Sequence, residues 1–302
     1  MTQTKLRSRT EAAVARRGEP DSPRRIGAWE LVSLEAEGSL AHIYRARPAD
    51  ASTDCAASYA VKLLRPEWEA RPEAIAMLQR EAEVGRAVSH PHLVPILAAS
   101  TSRSPRYLVM PWLEGTTLEA MWAAGSRIDV PTVLWIARQV AEALQALHRA
   151  GWMHGDVKPG NIFLSPEGHV TLLDLGFARR GHETGPAVDH SVIGTCNYMA
   201  PELTNPALRA GIHSDIYGLG VALFELLAGR LPFRCTTGAE LAGEHKRAIP
   251  PDLAQLAPHL PGEVVRLVHQ MLAKEPLRRP YPPQELVERL TALEIDLFAQ
   301  RL

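Results

Sequence analysis

His154-Gly155-Asp156-Val157-Lys158-Pro159-Gly160-Asn161, followed by Asp174-Leu175-Gly176, is the stretch on which the reading of this chain turns. It places two carboxylates, one amide and one ammonium in a tract rich in Asp, Asn, His and Gly. Short β-prone pieces at 162–164 and 170–172 separate them. Hard oxygen donors of this kind suit Mg²⁺, and Mg²⁺ most often acts on phosphates. Taken singly, each residue has a plainer reading. Asp174 before Leu-Gly is an ordinary turn residue, and an isolated strand lysine such as Lys62 is usually an edge charge.

The flanks differ in kind. Upstream, from Ile26 to Met110, the signals are short strands at 29–32, 42–46, 58–64, 93–98 and 107–110. One amphipathic helix is expected over 73–88, ended by His90-Pro91. Downstream the pattern is helical, with segments expected at 131–149, 214–228, 261–273 and 282–298. The clearest of these starts at Pro131 and repeats Val133, Ile136, Val140, Leu144 and Leu147 at helical spacing. Residues 1–25 carry seven Lys/Arg against three acids and read as a flexible basic arm, residues 26–302 as one folded domain.

Composition narrows the class. The 302 residues are 46% hydrophobic and 22% charged, with a net charge of −1. That is a globular composition with no general reason to bind nucleic acid. Three scattered cysteines, Cys55, Cys196 and Cys235, support neither a disulfide framework nor a zinc site. No run approaches the length of a membrane span and no signal sequence is present, so a cytoplasmic location is expected. Of 33 basic residues only five are lysine: Lys5, Lys62, Lys158, Lys246 and Lys274. Lys158 lies within the chemical tract and Lys62 in the β-prone stretch 58–64, and these two are singled out; the other three read as ordinary.

The tract resembles the protein kinase family, whose catalytic loop reads H-R-D-x-K-x-x-N and is followed by a D-F-G-type motif. The resemblance runs in order over about residues 26–298. Ala36 to Ile43 is similar to the family's glycine-rich loop, keeping Gly38 but with Ala36 and Ala41 at two glycine positions. Ala60-Val61-Lys62 resembles the third-strand lysine motif, with Glu81 at the helix position that partners it. Tyr107 to Gly115 resembles the last strand and hinge, and Gly194-Thr195 with Ala200-Pro201-Glu202 the activation segment. Asp215, Gly220 and Arg279 match later structural positions. The fold so implied is α+β, a two-lobe protein-kinase-like fold: a small, mainly β N-lobe with one regulatory helix (26–112, including the start of the hinge) and a larger, mainly α C-lobe (113–302). Compact motifs and the arginine bias point to the bacterial, eukaryotic-like serine/threonine type.

The resemblance also implies roles. Asp156 would act as base toward a substrate hydroxyl, and Lys158 would neutralise the transferred phosphoryl group. Lys62, held by Glu81, would contact the ATP phosphates. Asn161 and Asp174 would hold Mg²⁺, with Mn²⁺ an alternative. Lys158 and Thr195 favour serine/threonine over tyrosine substrates. Ile43 and Ala60 would lie above adenine and Phe163 below it. Met110 would guard the back of the pocket, and the Pro111 carbonyl and Leu113 N–H would face the base. His154, Asp215 and the Arg279–Glu202 pair are expected to be structural. The partners implied are a protein substrate and a regulatory protein; self-association and autophosphorylation are compatible with the pattern.

Three departures carry expectations. Gly155 replaces an arginine that in many kinases receives an activation-segment phosphate, so little dependence on phosphorylation at Thr184 or Ser191 is expected. Ala36 and Ala41 stiffen the loop over the phosphates and are expected to weaken nucleotide affinity. Gly85, one turn after Glu81, stands where the family packs a larger residue against Leu175, and predicts a mobile helix with a Lys62–Glu81 pair only partly formed without nucleotide. These departures keep a second reading open, a pseudokinase or nucleotide-binding scaffold without efficient transfer.

Overall fold

The structure is a computed structural model and describes residues 24–52, 54–181, 183, 196–204, 211–233 and 238–299. The first lobe is built on an antiparallel sheet of β1 (Arg24–Ile26), β2 (Trp29–Glu37), β3 (Ala41–Pro48), β4 (Tyr59–Leu64), β5 (Ala98–Ser100) and β6 (Tyr107–Pro111), in the order β1-β2-β3-β4-β6-β5. Strand alternation splits the lobe's core in two. On one face Ile26, Leu31, Ala46, Val61, Leu63 and Val109 pack together. On the other, Leu64 and Leu108 meet Ala74, Leu78 and Ala82 of helix α1 (Pro72–Ala87). Ala60, Lys62 and Leu64 alternate with the first set, so Lys62 is carried on the face that α1 covers.

The second lobe starts with β7 (Thr116–Thr117), α2 (Leu118–Ala123) and α3 (Val130–Arg149). Asp129 caps α3 by accepting the N–H of Thr132 at 3.0 Å, with Pro131 in the first turn. Next come β8 (Trp152–Met153), β9 (Ile162–Leu164), β10 (Val170–Leu172) and β11 (Arg179–Arg180). These form two small sheets, ordered β10-β9-β7 and β11-β8. The lobe is completed by α4 (Ile212–Ala228), α5 (Gly238–Arg247), α6 (Leu253–Leu256), α7 (Gly262–Met271) and α8 (Pro283–Ala299). Helix α4 is apolar on nearly every side and buried almost throughout, which makes it the axis of this lobe. It carries Asp215 into the interior.

The expected helices and the 162–164 and 170–172 strands form within two residues of their predicted ends. Two expectations are corrected. Arg24 and Arg25, read as the end of the arm, belong to β1, where Arg25 lies opposite Glu30 and Ile26 is buried. The strand expected over 93–98 is a loop. Only Leu93 bridges to Leu172, and the ladder begins at Ala98. Pro95, lacking an N–H, interrupts it.

Candidate active site

Lys62 and Asp174 are 112 residues apart in sequence, and the fold brings Lys62 Nζ within 3.1 Å of Asp174 Oδ1 and 2.6 Å of Glu81 Oε2. Burial works against the Lys62 charge, but Asp174 and Glu81 outweigh it and hold the ammonium above its ordinary value. One ammonium serves two carboxylates, and the shortfall falls on the more buried one. Glu81, 3% exposed against 33% for Asp174, is pushed up to about 7 by burial, against the pull of Lys62. Asp174 is also opposed by burial, yet Lys62 brings it below the usual carboxylate range. The backbone of Asp174 is left-handed, φ 63° and ψ 81°, a conformation rare outside glycine. There its carboxylate accepts both from Lys62 and from the N–H of Gly176.

The expectation of a partly formed Lys62–Glu81 pair is therefore corrected. The gap at Gly85 is filled from elsewhere in the chain. A Cβ added there would lie 2.4 Å from Cγ1 of Ile96. Ile96, in the loop before β5, occupies the space that a larger residue on α1 would take. Nothing in local periodicity marks Ile96 for that place.

Asp215 holds the start of the 154–161 loop from beneath. Its two oxygens accept the N–H groups of His154 at 2.7 Å and Gly155 at 2.8 Å. Burial pushes its carboxyl up to about 6, and those two amides, with His154, resist the shift. His154 is wholly buried. One ring nitrogen bonds the Leu173 carbonyl at 2.9 Å and the other accepts the Asp156 N–H at 3.2 Å, which occupies the ring structurally. Gly155 has φ +84°, and a Cβ there would lie 2.5 Å from the Phe177 carbonyl oxygen. Asp156 is 4% exposed. Its Oδ2 lies 2.8 Å from Lys158 Nζ and accepts from Asn161 Nδ2 at 2.9 Å.

The same Asn161 nitrogen also donates to the Asp156 carbonyl at 2.7 Å. With the amide nitrogen committed twice, the side-chain oxygen of Asn161 is the group left for a cation. Together with the Asp174 carboxylate it makes a small set of hard oxygen donors. No group of three or more His, Cys, Asp or Glu placed to hold a metal exists among the described residues. A donor set this small fits Mg²⁺, which keeps water and phosphate oxygens in its shell.

Sheet register gathers the expected adenine-binding residues. Ile43 lies opposite Lys62, Ala60 opposite Met110, and Tyr59 opposite Pro111, so Ile43, Ala60, Lys62 and Met110 share one face. Leu113 follows the last strand and is half-buried. Phe163, in β9, reaches the same region from the other lobe: a Cβ on Gly115 would lie 2.9 Å from its ring. Ala36 is exposed in β2 and Ala41 is buried in β3, with the turn at Gly38 between them. Two side chains that the motif gave no reason to notice hold this turn. Trp68 Nε1 donates to the Ser39 carbonyl at 3.0 Å and Arg65 Nη1 to that of Gly38 at 3.2 Å.

Arg279 and Glu202 form a buried two-point ion pair at 2.6 and 2.9 Å, as the resemblance implies. Lys274 is corrected from an ordinary lysine. Its Nζ lies 4.1 Å from the centre of the Phe233 ring, and burial, reinforced by Arg279, lowers it to about 8. Thr195, Thr184 and Ser191 lie outside the described residues.

The Protein kinase domain family profile matches residues 36–289. The chain is 31% identical to the serine/threonine-protein kinase PrkC of Bacillus subtilis, over 91% of this chain and 42% of that protein. It is 32% identical to PknA of Mycobacterium tuberculosis, over 84% of this chain and 58% of that protein. A probable serine/threonine-protein kinase of Clostridium perfringens is 28% identical over 89% of this chain and 38% of its own length. The chain belongs to the protein kinase family, in its bacterial, eukaryotic-like serine/threonine group. It spans 38–58% of the length of these relatives. No helix among the described residues is long and apolar enough to cross a membrane.

Proposed function

We propose that this chain is a serine/threonine protein kinase that transfers the γ-phosphoryl group of ATP to protein hydroxyls. The observation that carries the reading is the convergence of Lys62, Glu81 and Asp174 in one ion cluster, beside a loop that ties Asp156 to both Lys158 and Asn161. Residues 24–112 act as the nucleotide-covering lobe and the start of the hinge, residues 113–302 as the substrate lobe, and the residues before 24 as a basic arm.

ATP would enter between the lobes. Ile43 and Ala60 would close over adenine and Phe163 under it, with Met110 behind; the Pro111 carbonyl and Leu113 N–H would meet its edge. The turn through Ala36, Gly38 and Ala41 would cover the phosphates, and Lys62 would bind them. Mg²⁺, or Mn²⁺ in its place, held through Asn161 and Asp174, would draw off charge from the phosphate oxygens. Asp156 accepts the proton of the attacking serine or threonine hydroxyl. As the new O–P bond forms, the bond from the γ-phosphorus to the bridging oxygen breaks and ADP leaves. Lys158, beside Asp156, neutralises charge on the moving phosphoryl group. Thr195 helps select the hydroxyl substrate. Such a reaction gains chiefly from alignment and fixed charge.

Phosphate transfer from Mg-ATP to a generic basic protein, with site mapping by mass spectrometry, tests the reading on wild type and Asp156→Ala. A loss on the order of 10²–10⁴-fold in the variant, at unchanged folding, is expected. Equal incorporation by both would overturn the mechanism, and none by a wild type that binds Mg-ATP would make the chain a nucleotide-binding scaffold.

A further inference from the structure

Helix α1 must be held in place for Glu81 to reach Lys62, and the residue before Glu81 makes a contact that the mechanism above does not use. Arg80 Nη1 lies 2.8 Å from Glu183 Oε1, a residue 103 positions away in sequence and just beyond β11. The same guanidinium lies 5.0 Å from the ring centre of Trp152, a buried residue of β8. Arg180, which pairs with Trp152 in the β11–β8 ladder, stacks on that ring at 4.2 Å. Glu83, one turn of α1 away on the same side, lies 3.7 Å from Arg80 and 3.8 Å from Arg180. The Glu183 N–H donates to the Arg180 carbonyl at 3.0 Å, which fixes its backbone to the end of β11.

Three arginines thus crowd one small region. Arg179 feels it: burial lowers its pKa, Glu183 opposes the shift and Arg80 adds to it. A carboxylate at 183 relieves that repulsion and links α1 to the segment that follows the metal-binding motif. We propose that Glu183 is a positioning residue. Through Arg80 it holds α1 where Glu81 pairs with Lys62, and so places a negative charge where it orders the site without a covalent modification. This rests on the kinase reading for its consequence, but the tether itself does not depend on catalysis.

The test is a double-mutant cycle of Glu183→Gln, Arg80→Gln and the pair together, read in two ways. The first reading is the KM for ATP and kcat in the phosphotransfer assay. An ion pair about one-third exposed predicts a rise in KM of roughly two- to fivefold for each single variant, with the double variant no worse than either. Glu183→Asp, which keeps the charge, restores part of the loss. The second reading is amide hydrogen exchange of residues 72–87, which needs no activity; both single variants speed it up, and so does raising the salt concentration in wild type. Unchanged exchange in Glu183→Gln, or losses in KM that multiply in the double variant, overturns the tether. Faster exchange in a protein that shows no phosphotransfer leaves the tether standing and removes the kinase reading instead.

Discussion

Gly155 carries more than the motif alone suggests. As a sequence feature it is the absence of an arginine. In the structure it is a left-handed backbone position, with φ +84° and the Phe177 carbonyl oxygen 2.5 Å from where a Cβ would sit. A side chain there is strained twice, by its own backbone and by its neighbour. Gly155→Ala is expected to destabilise the fold by about 1–3 kcal/mol, measured by urea unfolding. A variant as stable as wild type would show that the Phe177 carbonyl yields freely. Asp156, Lys158 and Asn161 were legible because a single loop carries all three, so their spacing is their geometry. The cage around Lys274 was not. Phe233 and Tyr217, whose rings its ammonium faces, come from other parts of the lobe.

Helix α1 shows what periodicity can and cannot tell. The apolar spacing predicts 73–88, one residue from the observed 72–87, where Pro72 opens the helix. Its stability in place does not. Gly85 reads as a weak point because a glycine inside a helix costs about 1 kcal/mol relative to alanine. Ile96 turns that weakness into a packing contact. Gly85→Ala is therefore expected to lower stability despite its better helix propensity, since overpacking costs about 1–3 kcal/mol. Ile96→Ala removes the Cγ1 that the new Cβ would meet, so Gly85→Ala should cost less in that background than in wild type, and thermal unfolding of the single and double variants checks it. A gain from Gly85→Ala alone would mean that Ile96 moves aside at little cost. The loop at 93–97 teaches the same lesson from the other side: an apolar run suggests a strand, but Pro95 and the parallel bridge to Leu172 commit it to the joint between the lobes.

The pH response of the whole molecule is shared between histidines that burial lowers and two buried carboxyls that burial raises. Burial, with the nearby Lys274 charge, lowers His245 from 6.5 to about 4. Its ring is buried against the Tyr217 hydroxyl at 2.9 Å. The unfolded chain takes up that proton first as pH falls, so the stability His245 contributes is complete above about 6.5 and lost toward about 4. His90, His92, His148 and His213 are lowered by burial as well and act in the same sense. Asp215, raised from 3.8 to about 6, works in the opposite sense, binding its proton more tightly in the fold across that window. Glu81, raised from 4.5 to about 7, works in the same sense as Asp215, so the two carboxyls oppose the histidines between about pH 7 and 5 and the His245 contribution is read from the difference between wild type and a His245 variant. His245→Gln should remove a loss of up to ~3 kcal/mol that wild type accumulates between about pH 6.5 and 4, read as the change with pH in the stability difference between the two proteins. An unchanged slope would remove His245 from the account.

Local periods were enough for most helices, and the ordered motifs that resemble the protein kinase family for the two-lobe fold class and for the residues expected in the cleft. Those signals are local: helix and strand periods, a proline at a helix start, and a loop that holds its own chemistry. What joins Lys62 to Asp174, sets Ile96 into the gap at Gly85 and brings Glu183 to Arg80 is packing between elements far apart in sequence. Such contacts depend on how whole faces come into register, and no local propensity encodes that. The chain's own residues carry the resemblance, while the packed fold decides that α1 brings Glu81 to Lys62.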